Sequence, residues 1–404
     1  MKILVYEHAC GGDFADGAVS PDILVEGLGM LRLCVAGLKV AGHEVTVIFG
    51  EELARFNPPV EADCVIPVYS FMDAQQAILK ACASVDAVFV IAPEMGGVLH
   101  ALVKLVEQTG IPTLNCYSSA IDAVSNKVNL YSVLENRRIR TPRTRQVDGV
   151  QGVRELIVGE FGFPVVVKPV DGVSCCGLSV VNEVSQIELA VEKVKEFSGE
   201  SFVVQEFLRG EVVSVSLLCT GTQVFLVSLN KQVVNLSTPD GVSCYIGGAM
   251  PFNHEKKQEA FETAEAVVRC FSGLRGYVGV DLILTDDGPV VVDVNPRLTT
   301  SFIGLSYVTN FNFAEAIVNA SLKNILPTEA DFLGYTCFSK VETPNIDVDL
   351  LDLLYRIPEM ISPPFPVPDV RDSCMLICAG NSNSLEKAQF LLEEAKKHLL
   401  NIMT

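Results

Sequence analysis

Two short apolar runs, residues 279–283 and 290–294, constrain the fold of this chain most strongly. Each has the length and the β-branched composition of a strand, and the segment 286–289 between them carries the acidic residues, Gly and Pro of a tight turn. The pattern predicts a β-hairpin. Because side chains alternate between the two faces of a strand, the hairpin also determines which polar residues lie on related faces.

The polar side chains of this hairpin are candidate metal ligands. Alternation directs Asp281, Asp293 and Asn295 toward related faces. Carboxylate and amide oxygens are the hard ligands that Mg²⁺ prefers when it bridges nucleotide phosphates. Arg297 follows at the end of the second strand, where a guanidinium could bind a phosphoryl oxygen or a carboxylate. The competing interpretation is a hairpin whose charges are merely solvated.

Length and composition indicate a globular protein of two or three domains. The chain has 404 residues, of which 49% are apolar and 20% charged. Its formal charge of −19 argues against non-specific nucleic-acid binding, which requires basic surface. Thirteen cysteines without a Cys-x-x-Cys pair are typical of a reduced, cytoplasmic protein.

No membrane segment is expected. Residues 1–6 have the pattern of a strand rather than of a signal peptide. The uncharged run 212–229 approaches the length of a membrane span, but it is interrupted at 220–223 and alternates apolar residues with serines before that point. We expect a second β-hairpin there.

Strands and helices alternate in the first part of the chain, which predicts a parallel sheet covered by helices. The expected strands are residues 3–6, 44–49, 87–92 and 113–115, and the expected helices are 24–40, 98–108 and 119 to about 138. Residues 160–206 have the order strand, loop, strand, helix, strand of an α+β unit. Later segments predict antiparallel strands through 211–296 with one helix at 255–271, then strands at 337–341 and 375–378 and a helix at 384–402.

Three further segments carry candidate nucleotide contacts. Lys168 ends an apolar strand and must find anionic partners. The small residues of 171–179 follow it, and such a loop lets backbone N–H groups approach phosphates. Gln205 and Glu206 could accept from an adenine amino group, and Glu211 from ribose hydroxyls. Taken alone, Lys168 and its loop are more simply interpreted as an ordinary hairpin with a lysine at the end of a strand.

Taken in order, these segments resemble the ATP-grasp superfamily. The resemblance spans the chain and implies an α/β, ATP-grasp fold. It implies an N-terminal pre-ATP-grasp (Rossmann-like) α/β domain at 1–118, a helix with an α+β lid subdomain at 119–208, an antiparallel-sheet catalytic subdomain with the metal site at 209–326, and a C-terminal closing segment at 327–404.

The resemblance also implies roles for individual residues. Arg297 and Lys168 would be catalytic, beside the transferred phosphoryl group, and Asp281, Asp293 and Asn295 would hold Mg²⁺, with Mn²⁺ as the alternative metal. The implied contacts to the cofactor ATP are Lys127, Lys168, Ser174, Gly177, Gln205, Glu206, Phe207, Leu208 and Glu211. Two departures stand out, since most family members have Glu at the position of Asp293 and begin the adenine hinge with Glu where this chain has Gln205.

ATP-grasp ligases phosphorylate a carboxylate and let an amine attack the acyl phosphate. Local strings at 6–12, 91–94, 229–232, 245–248 and 295–301 look like the archaeal tyramine–L-glutamate ligases of methanofuran synthesis and their bacterial relatives. That resemblance implies that the γ-carboxylate of glutamate is joined to the amine of tyramine. The expected substrate-side residues are Glu7, Glu94, Lys231, Gln232, Thr300 and Ser301.

Three alternatives remain open at the level of sequence. A bicarbonate-phosphorylating enzyme of the carbamoyl-phosphate or biotin-carboxylase type would use the same ATP residues, although neither a second ATP-grasp half nor a biotin-carrier motif is evident. Another amino-acid or peptide ligase would fit as well, and so would an ATP-binding scaffold without catalysis. The expected partners are small-molecule substrates, with neither nucleic acid nor membrane; a homodimer is left open.

Overall fold

A computed structural model of the chain describes residues 1–13, 20–170, 175, 177–198, 201–365 and 372–403. Within them the chain forms three β-sheets with helices packed around them. The predicted succession of a parallel sheet, an α+β unit and an antiparallel sheet is confirmed. No described helix combines the length and the apolar character that crossing a membrane requires, and each described cysteine is a free thiol.

The first sheet is parallel, with strand order β3–β2–β1–β4. Its elements are β1 (Lys2–Glu7), α1 (Pro21–Val40), β2 (Glu44–Gly50), α2 (Glu51–Ala54), β3 (Cys64–Val68), α3 (Phe71–Ala81), β4 (Ala87–Ile91) and α4 (Val98–Gln108). Residues 113–115 contribute only an isolated bridge between Thr113 and Val88. The sequence did not predict β3, a short edge strand that contains Pro67, a residue that strands tolerate mainly at edges.

Residues 118–136 form two helices where the sequence predicted one. They are α5 (Ser118–Ser125) and α6 (Lys127–Asn136). Between them Asn126 has an extended backbone, and its side chain accepts a hydrogen bond from the Asn129 N–H at 3.0 Å as an N-cap. The break places Lys127 at the first position of α6, so its side chain leaves the helix at the end that faces the hairpin.

The lid sheet is antiparallel and has the order β5–β8–β6–β7. Its elements are β5 (Thr144–Asp148), α7 (Gly149–Leu156), β6 (Val165–Pro169), β7 (Ser179–Val181), α8 (Ile187–Ser198) and β8 (Ser201–Glu206). Valines of β6, β7 and α8 pack with Phe202 in a core of their own. The lid sheet therefore has its own hydrophobic core, separate from the two larger cores formed by the other two sheets and their helices.

The third sheet has eight antiparallel strands in the order β13–β12–β9–β10–β11–β14–β16–β15. Its strands are β9 (Glu211–Thr220), β10 (Val224–Asn235), β11 (Cys244–Met250), β12 (Arg275–Thr285), β13 (Gly288–Asn295), β14 (Tyr335–Pro344), β15 (Met360–Ser362) and β16 (Asp372–Ser382). The accompanying helices are α9 (Lys257–Val268), α10 (Ser301–Val308), α11 (Phe313–Val318), α12 (Leu351–Leu354) and α13 (Leu385–Met403). Both predicted hairpins are present, as β9–β10 and β12–β13.

Helix α1 joins the first sheet to the C-terminal strands. Its apolar residues share one core with β1, β16 and α10. The approach is close at Gly29, where a Cβ atom would lie 2.8 Å from Leu376 and 2.9 Å from Ile361. This packing brings one face of α1 against β15 and β16, more than 300 residues away in sequence.

Candidate active site

A solvent-open cleft with about 1330 Å³ of empty space lies between the lid sheet and the eight-stranded sheet. The residues that line it include Glu26, Lys127, Lys168, Gln205, Glu206, Phe207, Leu208, Gln232, Tyr245, Asp281, Asp293, Asn295, Arg297, Thr300 and Ser301. Most residues that the sequence singled out are therefore gathered in one place, although they come from segments more than 150 residues apart.

Two buried lysines approach the cleft from different elements. Lys127 at the start of α6 places its Nζ 3.0 Å from Oδ2 of Asp293. Lys168 at the end of β6 donates from its Nζ to Oε1 of Gln205 at 2.9 Å. Burial, followed by repulsion from Lys127, lowers the pKa of Lys168 from 10.5 to about 7. An incoming anion would offset both causes and favour the charged form of Lys168.

The Gln205 side chain is occupied by protein contacts. Besides accepting from Lys168, its Nε2 donates to the Tyr131 hydroxyl at 3.0 Å and to Thr144 Oγ1 at 2.9 Å. Tyr131 in turn donates to the Val292 carbonyl at 2.6 Å, which ties α6 to β13. The side-chain oxygen of Gln205 already accepts from Lys168 and keeps one lone pair for a second donor, so its contact with adenine stays a prediction.

The segment after β8 forms the other wall of this region. Oε1 of Glu206 accepts from the Arg143 N–H at 2.7 Å, and the Glu206 N–H donates to the Arg143 carbonyl at 3.0 Å. One carboxylate oxygen of Glu206 therefore already binds the backbone just before β5. Phe207 and Leu208 follow and offer the cleft an apolar surface of the kind that a flat aromatic base packs against.

The β12–β13 hairpin places the two candidate metal-binding carboxylates opposite each other. Asp281 and Asp293 are direct cross-strand partners. The two-residue turn 286–287 leads into Gly288, the first residue of β13, whose φ of +113° favours glycine. Oδ1 and Oδ2 of Asp281 accept from the side-chain amides of Gln232 and Asn295, each at 3.0 Å. Burial, followed by repulsion from Asp293, raises the pKa of Asp281 to about 7.

This donor set fits a divalent cation. Two carboxylates and the amide oxygen of Asn295 are hard oxygen donors that converge on the cleft. The raised pKa of Asp281 reflects its burial and, second, its repulsion by Asp293, and a bound cation would offset both. Among the described residues no group of three or more His, Cys, Asp or Glu side chains could hold a metal, so a cation bound here would need the Asn295 amide as its third protein ligand.

Arg297 connects the hairpin to the first sheet. Its Nε donates to Oε2 of Glu94 at 2.7 Å, and its Nη1 donates to the Leu298 carbonyl at 3.1 Å. Burial alone would lower the pKa of Arg297, but Glu94 more than offsets this and the pKa is raised. The guanidinium is thus a fixed positive charge in the cleft, and Glu94, expected to contact a substrate, orients it.

The structure places the remaining expected residues differently. Glu211 and Lys231 form an ion pair of 3.0 Å and are not among the described residues that line the cleft. Glu7 is also not among them: it is buried under α1, where a Cβ on Gly27 would lie 2.5 Å from its carboxyl carbon, and it accepts from the Cys10 N–H at 2.7 Å. Ser174 lies outside the described residues. Gly177 is described, in a left-handed conformation with φ +71°; its contact with phosphate stays a prediction.

At the end of the cleft near Arg297, the polar side chains come from α1, β9, β11 and the start of α10. Thr300 donates to the Tyr245 hydroxyl at 3.3 Å, and Ser301 lies 3.4 Å from Ser214, oxygen to oxygen. Glu26 on α1 lines this end as well. Sequence reasoning missed the roles of Glu26 and Tyr131, because each meets its partners only through tertiary packing and no local pattern marks either residue.

Comparison with known proteins gives a consistent result. A family model described as an ATP-grasp domain matches residues 124–301, and one described as a pre-ATP-grasp domain matches residues 51–121. The tyramine–L-glutamate ligase of Methanocaldococcus jannaschii is 32% identical over 320 residues, which cover 78% of this chain and 88% of the relative.

Two solved structures are similar over nearly the whole chain. An ATP-grasp superfamily protein from Archaeoglobus fulgidus has a TM-score of 0.64 at 23% identity, with coverage of 93% of this chain and 99% of that one. Carboxyaminoimidazole ribonucleotide synthase from Aspergillus clavatus, solved with ATP, has a TM-score of 0.70 at 16% identity, with coverage of 100% and 99%. The fold expected from the sequence, an ATP-grasp fold preceded by an α/β domain, is confirmed.

Proposed function

Because this chain belongs to the ATP-grasp family of carboxylate–amine ligases, we propose that it joins the γ-carboxylate of glutamate to the amine of tyramine, with ATP and Mg²⁺. The carboxylate first takes the γ-phosphoryl group of ATP and releases ADP. The amine, as its free base, then attacks the acyl carbon; the C–N bond forms, the bond from that carbon to the phosphate oxygen breaks, and phosphate and the amine proton are released. We place the reaction in the cytoplasm, where thiols stay reduced.

The observation that carries this proposal is the convergence of charges in the cleft. Lys127 and Lys168 supply two buried ammonium groups on one side, and Arg297 supplies a guanidinium at the other end. Phosphoryl transfer needs such positioning and charge stabilisation and little covalent chemistry from the protein. The distribution suits a triphosphate that lies along the two lysines and directs its γ-phosphoryl group toward Arg297.

The hairpin residues have a place in the same scheme. Asp281, Asp293 and Asn295 would hold Mg²⁺, which when bound neutralises charge on the phosphates. Lys127 already compensates Asp293, and its ammonium would be shared with the nucleotide. Arg297, held by Glu94, would orient the substrate carboxylate for attack on the γ-phosphorus.

The choice of substrates rests on the relatives. The relative from Methanocaldococcus jannaschii is named for tyramine and L-glutamate and matches this chain over 78% of its length. Fold alone would not select them, since structures of the same fold include proteins named biotin carboxylase and carboxyaminoimidazole ribonucleotide synthase. Glu211, as a ribose contact, and Lys231, as a substrate contact, remain proposals, and they would require their ion pair to open.

The substrate assignment is tested by ADP release and by the mass of the product. We expect ADP to form with ATP, Mg²⁺, L-glutamate and tyramine, and the product to have the mass of glutamate plus tyramine minus water. ADP formed with glutamate and other amines, but not with tyramine, would retain the mechanism and replace the amine. ADP formation that depends on bicarbonate rather than glutamate would contradict the proposal.

ATP binding is expected to take up a proton at pH 8. With a pKa of about 7, Lys168 is about one-tenth protonated at that pH in the nucleotide-free protein. The phosphates stabilise its charged form and raise its pKa, so binding should take up close to one proton, and less at pH 6. Calorimetry of ATP binding in two buffers with different ionisation enthalpies measures this number.

The matched variants are Lys168→Met, which removes the buried ammonium, and Lys104→Met, which removes an exposed one from α4. The first should abolish most of the uptake and the second should leave it unchanged. Equal uptake by Lys168→Met and the wild-type protein would show that Lys168 does not meet the phosphates.

A further inference from the structure

An ion cluster lies where helix α1 meets β14. Lys340 Nζ is 2.6 Å from Oε1 of Glu26 and 3.1 Å from Oδ2 of Asp22. The side chains of Lys340 and Glu26 are almost completely buried, at 8% and 11% exposed, whereas Asp22 is 35% exposed. The cluster therefore holds two carboxylates against one ammonium, so it carries one negative charge in excess.

Glu26 is the member of this cluster that reaches the cleft. It lines the cleft together with Arg297, Thr300 and Tyr245, whereas Asp22 and Lys340 are not among the described lining residues. The Tyr245 ring lies between these groups: Lys340 Nζ is 5.8 Å from its centroid, and Thr300 donates to its hydroxyl. The other acid near Arg297, Glu94, is already paired with that guanidinium.

A buried carboxylate in a cluster of excess negative charge is stabilised by a further cation. The cations of the cleft and of the cluster already have protein partners: Arg297 is hydrogen-bonded to Glu94, Lys127 is paired with Asp293, Lys168 donates to Gln205, and Lys340 is paired with both acids of the cluster. Arg297 also attracts Glu26, but its hydrogen bonds go elsewhere, so a substrate ammonium is a further source of positive charge that could bind Glu26 directly. Glutamate and tyramine each carry an ammonium group, and a carboxylate binds such a group through a charge-assisted hydrogen bond.

We propose that Glu26 binds an ammonium group of a substrate at the end of the cleft beside Arg297, with Lys340 as the residue that positions it. This rests on the proposed function, because it requires substrates that carry ammonium groups. The ammonium belongs either to the amine nucleophile or to the α-carbon of the amino acid. In both cases Glu26 selects a charged substrate and sets its distance from the carboxylate held by Arg297.

The test compares Glu26→Gln with Glu192→Gln, the same substitution at an exposed glutamate of α8 that is outside the ion cluster and not among the described lining residues of the cleft. Glu26→Gln should raise the KM of one substrate at least about tenfold with the KM of ATP unchanged. Glu192→Gln should change neither KM by more than about twofold. Glu26→Gln removes one of the two carboxylates that pair with Lys340, which would lower the stability of the protein. The double variant Glu26→Gln/Lys340→Met removes the unbalanced ammonium as well, and it should show the same rise in KM.

A second nucleophile distinguishes the two sources of the ammonium. Hydroxylamine is uncharged at neutral pH and converts the acyl phosphate to a hydroxamate without an ammonium to bind. If Glu26 holds the amine, Glu26→Gln should lose activity with tyramine and keep hydroxamate formation. If it holds the α-ammonium of glutamate, the KM of glutamate should rise with both nucleophiles.

KM values within about twofold of wild type for both substrates, in Glu26→Gln and in the double variant, would overturn the proposal. Failure of the proposed function gives a different result. In that case the wild-type protein itself would form neither amide nor hydroxamate from glutamate, and the proposal for Glu26 would fall with it.

Discussion

Replacing Asp293 with alanine is expected to reduce turnover by about 10³-fold or more while nucleotide binding remains measurable. Asp293 faces Asp281 across the hairpin and supplies one of the two carboxylates of the candidate metal site. Charge stabilisation by a bound metal contributes several kcal/mol to such a reaction, and each 1.36 kcal/mol is tenfold in rate. The variant also removes the Asp293 partner of Lys127, whose ammonium can then interact more strongly with the phosphates.

The measurements are steady-state ADP release and calorimetric ATP binding on the same protein. Asp287→Asn is the matched control, because Asp287 lies in the turn of the same hairpin, away from the cleft. It should retain turnover within about twofold. If Asp293→Ala kept more than about a tenth of the wild-type rate, the assignment of the metal ligands would be wrong.

Replacing Arg297 with methionine is expected to lower kcat by about 10³-fold, the cost of losing one preorganised group that stabilises developing charge. The same change leaves Glu94 as a buried carboxylate without its ion-pair partner, since the two side chains are 16% and 8% exposed. A loss of that kind costs about 3–5 kcal/mol of stability. Lower activity of Arg297→Met alone therefore has two explanations, catalytic and structural.

The double variant Arg297→Met/Glu94→Gln separates these explanations. It removes both charges of the pair, so its thermal unfolding temperature should recover most of the loss, while kcat should stay as low as in the single variant. Recovery of turnover together with stability would contradict the catalytic role and leave Arg297 as a link between the hairpin and the first sheet.

The parts of this fold that the sequence predicted are those governed by local physics. Period-two alternation placed Asp281 and Asp293 on the same face of one hairpin, and the acidic turn with Gly288 closed it, as the structure has it. The same reasoning located Lys168 at the end of a buried strand. The single helix expected from 119 to 138 was wrong because the capping side chain of Asn126 stabilises an interruption that apolar periodicity does not reveal.

The parts that the sequence did not predict are set by tertiary packing. Gln205 lies next to Glu206 in sequence, yet its side chain accepts from Lys168, which is 37 residues away. Glu26 and Lys340 are 314 positions apart and meet only because α1 packs against the C-terminal strands. No local pattern indicates which of several carboxylates will face a cleft, so the substrate end of the site could not be assigned from the sequence.

Transfer of oxygen from the substrate carboxylate to phosphate tests the central claim most directly. Glutamate labelled with ¹⁸O in its γ-carboxylate would be turned over with ATP, Mg²⁺ and tyramine, and the released phosphate analysed by mass. Phosphorylation of the carboxylate in this cleft predicts one ¹⁸O in each phosphate formed. Unlabelled phosphate from a reaction that still yields the amide would contradict the acyl phosphate and, with it, the role given to Arg297 and the two lysines.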